Sequence, residues 1–98
     1  MNATQPDRVF ETTDGDRTSY RATRSEVGHW PLAGLTLHRA VFVDVLGSDG
    51  GLADVATVLV NDRDELLLVG RPHFAVGDIA NIYHVAAAVI RFEKDGAR

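Results

Sequence analysis

The chain has 98 residues, of which 45 % are hydrophobic and 24 % charged, so its composition is that of one ordinary globular domain and excludes a disordered tail. It has no cysteine, which excludes disulfides, thiolate metal sites and thiol nucleophiles. Nine arginines and one lysine against 14 acidic residues give a net charge of −4, and this acidic balance argues against a general nucleic-acid binder.

The beginning of the chain has no feature of a targeting or membrane segment. Met1 to Thr13 is polar and lacks the basic start and apolar stretch of a secretory signal. No apolar run approaches the roughly 20 residues that a membrane-spanning helix needs. We therefore expect one soluble, cytoplasmic domain over residues 1–98, with Met1 to Pro6 disordered and no contact with a membrane.

The first predicted elements form a β-hairpin. Arg8 to Glu11 and Thr18 to Thr23 have the residue types of strands. Thr13 to Asp16 is a turn sequence, because aspartate initiates turns and glycine accepts a positive φ. Ser25 to Gly34 follows, and its two glycines and one proline predict an irregular connection.

The segment from Leu35 to Leu46 is the clearest strand of the sequence, because large aliphatic side chains alternate and many of them are β-branched. Arg39 interrupts the apolar face of this strand. A buried arginine needs an acidic partner, such as Asp44 or Asp54. We interpret Arg39 as the mark of a face that the rest of the domain covers incompletely.

A second hairpin is predicted in the next segment. Ala53 to Val60 has apolar residues at helical spacing, but its β-branched residues favour a strand. The polar connector Asn61 to Asp64 then leads into Glu65 to Val69, a short apolar strand. A further turn is predicted from Gly70 to Gly77.

The last element, Ile79 to Lys94, has two interpretations. As a helix it has Asp78 as N-cap and Gly96 just after its end. As strands it has an alternating face, and we favour that interpretation; the alternating residues are Ile82, His84, Ala86, Ala88, Ile90 and Phe92. The predicted fold is therefore mainly β, a small antiparallel sheet or barrel with an N-terminal hairpin. The alternative is an α+β fold in which a helix over 79–94 packs on an antiparallel sheet.

The sequence favours a binding module over an enzyme. The four histidines show no metal-ligand spacing, and no phosphate-binding loop or nucleophile motif is present, so we predict no catalytic residue, metal or cofactor. A tryptophan held extended by the following proline can act as a rigid anchor. We predict a non-catalytic regulatory domain that binds a protein through His29, Trp30, Leu32 and Arg39, and a second copy of the chain is one candidate for that protein.

Two other functions remain open at this point. His38 or His84, with a carboxylate such as Asp44 or Asp78, could line the pocket of a small-ligand-binding or enzymatic β-barrel, because polar residues within apolar strands often mark pockets.

The other possibility is binding of a single-stranded nucleic acid. Arg17, Arg21 and Arg24 lie close in sequence to Tyr20 and Trp30, and such a surface binds phosphates and stacks on bases. Acidic residues surround this cluster and weaken its field, so we expect nucleic acid to be an improbable partner.

Overall fold

The computed structural model describes residues 8–32, 35–70 and 73–96, and for residues 30–32 and 35–38 it describes the backbone alone. Within these ranges six strands precede one helix. In chain order they are β1 (Phe10–Thr13), β2 (Ser19–Ala22), β3 (Ser25–Leu32), β4 (Leu35–Leu46), β5 (Leu52–Val60), β6 (Leu66–Val69) and α1 (Val76–Gly96).

All six strands belong to one antiparallel sheet. Five of them follow the order β1-β2-β4-β5-β6, and β3 pairs with β4. Strands β2 and β3 lie one after the other along the same edge of β4, because β2 pairs with residues 44–46 and β3 with residues 35–41. The described strands do not close on themselves, so the prediction of a sheet is confirmed and that of a barrel is wrong. At the free edge of β6, the amide of Leu68 donates to the hydroxyl of Tyr83 in α1 at 2.9 Å, and the helix thereby satisfies an outward donor of this edge.

The helix packs on one face of the sheet, which we call the inner face. Val41, Val58 and Leu68 are direct neighbours across β4, β5 and β6, and each is at most 3 % exposed. The helix contributes a buried stripe whose three- and four-residue spacing places its members on one side: Ile82, Val85, Ala86, Val89 and Ile90. Burying each large aliphatic side chain of this core stabilises the fold by about 1.5–3 kcal/mol.

Most of the strand predictions are confirmed. The N-terminal hairpin forms, with Asp14 accepting amide hydrogen bonds inside its turn. Strand β4 has the predicted bounds of Leu35 and Leu46. The predicted hairpin of β5 and β6 also forms, and its connector is organised by Asn61, whose side chain accepts from the amides of Arg63 and Glu65 at 2.9 Å each.

The prediction of an irregular segment from Ser25 to Gly34 is wrong over most of its length, because Ser25–Leu32 is strand β3. Its glycine and proline are tolerated since β3 has β4 on one side and an irregular register between Val27 and Trp30. Residues 33 and 34, like Met1 to Pro6 with their predicted disorder, lie outside the described residues.

The favoured interpretation of Ile79 to Lys94 as strands is also wrong, and the helical alternative is right. Of the alternating residues, Ile82, Ala86 and Ile90 are also spaced by four, so the pattern fits a helical stripe as well. The alanines of this segment have a high helix propensity and favour a helix. The helix begins earlier than predicted, at Val76, so Asp78 is its third residue and not its N-cap. The Asp78 carboxylate instead accepts from the amide of Ala75, just before the helix, at 3.2 Å.

Replacing Ile82 by alanine tests the contact between helix and sheet. Ile82 is fully buried, so Ile82→Ala should lower the free energy of unfolding by about 2–5 kcal/mol through lost burial and the cavity left behind. Val76→Ala, at a helix residue that is 85 % exposed, is the control and should change it by less than about 0.5 kcal/mol. Urea unfolding measures both values, and equal effects would contradict this packing.

Candidate functional site

A buried tyrosine joins the N-terminal hairpin to the start of the helix. The hydroxyl of Tyr20 in β2 lies 2.5 Å from Asp78 of α1 and 2.9 Å from Asp14 of the hairpin turn. The phenol has one proton, so it donates to one carboxylate at a time. Asp14 accepts in addition from the amides of Asp16 at 2.8 Å and Thr18 at 3.0 Å. The cluster fixes where the helix begins relative to the sheet.

These contacts decide how the groups titrate. Burial raises the pKa of Tyr20 far above its usual value, and both carboxylates raise it further. Burial also raises the pKa of Asp14, but the hydrogen bonds from Tyr20, Thr18 and Asp16 outweigh this effect and lower it overall. A phenol with a raised pKa is a poor base and nucleophile, so this cluster has a structural role.

A second polar network joins the later part of the helix to β3 and β4. Glu93 of α1 accepts from the amide of Ser25 at 2.8 Å and from its hydroxyl at 2.6 Å, and it forms an ion pair with Arg39. Arg39 also donates to the Ser25 hydroxyl at 2.9 Å. The acidic partner of Arg39 is therefore Glu93, and the expectation of Asp44 or Asp54 is wrong. The arginine lies on the inner face, beside the helix.

On the opposite face of the sheet, the outer face, no helix of the described ranges is packed. Directly paired residues of antiparallel strands point to the same face. The register therefore places Phe42, Thr57 and Val69 in one row across β4, β5 and β6, and the neighbouring row consists of Ala40, Leu59 and Leu67. Together with Val55, these residues form what we call the outer patch.

The outer patch is apolar and partly open to solvent. Phe42 is 37 % exposed, Val69 43 %, Val55 43 % and Leu67 46 %, whereas Ala40 and Leu59 between them are buried, at 0 % and 4 %. The matching residues of the inner face are nearly inaccessible. Solvated faces of antiparallel sheets normally carry polar side chains. A group of exposed apolar side chains on one face marks a site of contact with another molecule, so the outer patch is the candidate functional site.

The outer face becomes polar toward β1 and β2. Glu11, Arg21 and Asp44 are register neighbours across β1, β2 and β4, and the carboxylate of Glu11 accepts from the Arg21 guanidinium at 3.0 Å. All three side chains are exposed. The outer face therefore has an uncharged half and a charged half, which meet at β4.

The residues predicted for partner contact lie at one end of the sheet. His29 is exposed in β3, near the break in its register with β4. The backbone of Trp30 and Leu32 is in β3, and their side chains lie outside the described residues. Arg39 interacts with the helix as described above.

The structure does not bring together His84 and Asp44, two of the predicted pocket residues. His84 is exposed on α1, which packs on the inner face, whereas Asp44 is exposed on the outer face. The sheet separates them, and the side chain of His38 lies outside the described residues. Among the described residues no group of three histidine, aspartate or glutamate side chains could hold a metal ion.

The arginines predicted as a nucleic-acid surface are spread over different environments. Arg17 is in the hairpin turn with a φ of 65°, Arg21 is paired with Glu11, and Arg24 is exposed after β2.

Within the part of the chain that the structure describes, the helix has no stretch that is both long enough and apolar enough to cross a membrane.

Sequence reasoning missed the outer patch, although its signal was present. Alternation in β4 predicts one buried face, and attention to Leu67 and Val69 would have shown that β6 is apolar on both faces. A strand with apolar residues on both faces is typical of a sheet that is packed against other structure on both sides.

Comparison with known proteins does not add to this picture. No protein-family model matches the chain, and no match is found among curated proteins or among solved structures.

The lowered pKa of Asp14 predicts an acid dependence of stability. Since the folded pKa is below that of the unfolded chain, about 3.9, the stabilisation is present above that pH and is lost as the pH falls further. Asp14→Asn should therefore flatten the acid limb of a plot of urea midpoint against pH. Asp16→Asn, at an exposed residue of the same turn, is the control and should keep the wild-type limb. Identical limbs for wild type and Asp14→Asn would contradict this assignment.

The raised pKa of Tyr20 predicts the opposite dependence at alkaline pH. An unfolded tyrosine ionises near pH 10 while the folded one stays protonated, so the stabilisation is present below about pH 10 and is lost as the pH rises above it. Phenolate absorbance after a rapid rise in pH should show Tyr20 ionising with the slow kinetics of unfolding. This slow component should be missing in Tyr20→Phe, and a fully rapid titration in wild type would contradict the prediction.

Proposed function

We propose that this chain is a non-catalytic protein-binding module that works through its outer patch, and that its partner is a second copy of the chain. The observation that supports the proposal is the exposure of Phe42, Val55, Leu67 and Val69 in adjacent positions of a regular sheet. Aromatic and large aliphatic side chains at the centre of a patch are the usual energetic core of protein interfaces.

The geometry of the patch favours a second sheet as its partner. Strands β4 and β5 are in regular register from Arg39 to Val45 on one side and from Asp54 to Val60 on the other. Two such faces pack about 10 Å apart with their strands nearly aligned. A two-fold arrangement buries the same patch on both copies and needs no additional surface.

Charge is compatible with this self-association. None of the seven residues of the outer patch is charged, and the nearest carboxylates on this face, Asp44 beside Val55 and Glu26 beside Ala40, lie at the margin of the patch. The charged half of the outer face has an internal ion pair between Arg21 and Glu11, which reduces its field. Desolvation of the patch therefore removes apolar surface from water without burying an unpaired charge.

Association through the edge of β6 is less favourable than association through the face. The outward amide of Leu68 already donates to Tyr83, so an added strand would have to displace this contact. The apolar side chains of the same strand, Leu67 and Val69, point to the outer face and have no comparable partner among the described elements. We expect a cytoplasmic homodimer that is built face to face.

Charge introduced into the patch should dissociate the dimer. Leu67→Lys and Val69→Lys place an ammonium group where the partner's apolar side chains would lie, at a cost of several kcal/mol if it remains buried. We expect wild type to sediment as a concentration-dependent dimer and either variant as a monomer. Val76→Lys, at an 85 % exposed helix residue away from the outer face, is the control and should dimerise like wild type.

Circular dichroism of each variant checks that the fold is intact. A wild-type protein that stays monomeric at every accessible concentration would overturn the proposed partner. A dimer that persists in both lysine variants would place the contact on a different surface.

A further inference from the structure

A groove beside the helix has the chemistry of a small-molecule site. It lies between the second half of α1 and the connector before β6, has a volume of about 270 Å³, and is lined by Asp64, Leu66, Ala87, Ile90, Arg91 and Lys94. This volume is close to the lower limit for small-ligand sites. The groove is on the helix side of the sheet and is separate from the outer patch.

The floor of the groove is apolar and its rim is charged. Leu66, Ala87 and Ile90 supply the floor, and Ile90 is nearly buried. At the rim, the Lys94 ammonium is 3.5 Å from the Asp64 carboxylate. Arg91 is exposed, and no ion pair joins it to another described residue.

The charges at the rim of the groove indicate the charge of the ligand that it would bind. Two cations and one carboxylate leave a surplus of one positive charge at the edge of an apolar surface. Lys94 is partly neutralised by Asp64, so the charge that remains available is the guanidinium of Arg91, which binds carboxylates in a two-pronged geometry. A small monoanion with a flat apolar body satisfies both parts of the groove, whereas a dianion would be repelled by Asp64.

The connector holds Asp64 at the rim before any ligand binds. Asp64 has a φ of 62° at the end of the turn that Asn61 organises, and its amide donates to the Asn61 carbonyl at 3.1 Å. Asn61 also donates to the Glu65 carboxylate at 2.7 Å. A preorganised rim reduces the entropy that binding costs.

We propose that this groove binds a small aromatic or aliphatic monocarboxylate, with the carboxylate on Arg91 and the apolar body against Leu66, Ala87 and Ile90. The inference is independent of the proposed dimer, because it depends on different residues on the other face of the sheet.

Titration with naphthalene-2-carboxylate, followed by backbone amide chemical shifts, tests the proposal on the full chain. We expect saturable shifts centred on Leu66, Ala87 and Arg91. The neutral amide of the same ring should bind roughly tenfold more weakly, because it lacks the charge-assisted contact. Equal affinity for acid and amide, shifts centred on the outer patch, or no saturation would each overturn the proposal.

Two variants separate the roles of charge and shape. Arg91→Gln should weaken binding of the carboxylate roughly tenfold and leave the affinity for the amide unchanged. Arg63→Gln, at an exposed arginine of the neighbouring connector that does not line the groove, is the matched control and should bind like wild type. Ala87→Phe should fill the floor and abolish binding of both probes. If Arg63→Gln lost as much affinity as Arg91→Gln, the effect would be one of general charge and the site would be rejected.

Discussion

One helix lies across the inner face of a six-stranded sheet, and every other feature of the molecule depends on how that helix is held. Apolar packing along Ile82, Val85 and Val89 supplies most of the stabilisation, but such packing is non-directional. Direction comes from the polar contacts, with Tyr20 against Asp78 near the start of the helix and the Glu93 network with Ser25 and Arg39 near its end. Two hydrogen-bonded clusters at separate points fix the position and rotation of the helix, and thereby decide which residues it covers.

The packing of the helix on the inner face does not account for the apolar side chains on the outer face of the sheet. The buried core between helix and sheet contains no residue of the outer patch, so this core does not require Leu67 and Val69 to be large and apolar. Polar residues with strand propensity, such as threonine, would satisfy the same backbone, as Thr57 does between Phe42 and Val69. Exposed apolar side chains that the fold does not need are best explained by a contact outside the chain.

Much of the architecture was predictable because strands and turns are encoded locally. The alternation in β4, the Asx turn at Asp14 and the connector at Asn61 each act within a few residues, and each was identified from the sequence. Strand β3 was missed because its pairing is set by β4, which overrides the low strand propensity of its glycine and proline. The helix was misassigned because Ile82, Ala86 and Ile90 of its buried stripe also belong to the set of alternating residues, so both periods fit. The partner of Arg39 is 54 residues away in sequence, and no local pattern identifies such a contact.

The same helix also determines how two copies of this chain can meet. By accepting a hydrogen bond from the amide of Leu68, the Tyr83 hydroxyl occupies an outward donor of the edge through which β6 would extend a neighbour's sheet. The net charge of −4 opposes association at long range, but at physiological salt this repulsion is screened beyond about 8 Å. Contact is then decided by the surface that meets at short range, and the outer patch is uncharged. Edge protection by the helix and an open apolar face on the other side therefore favour one mode of association, face to face, over the strand-by-strand addition that leads to open-ended aggregates.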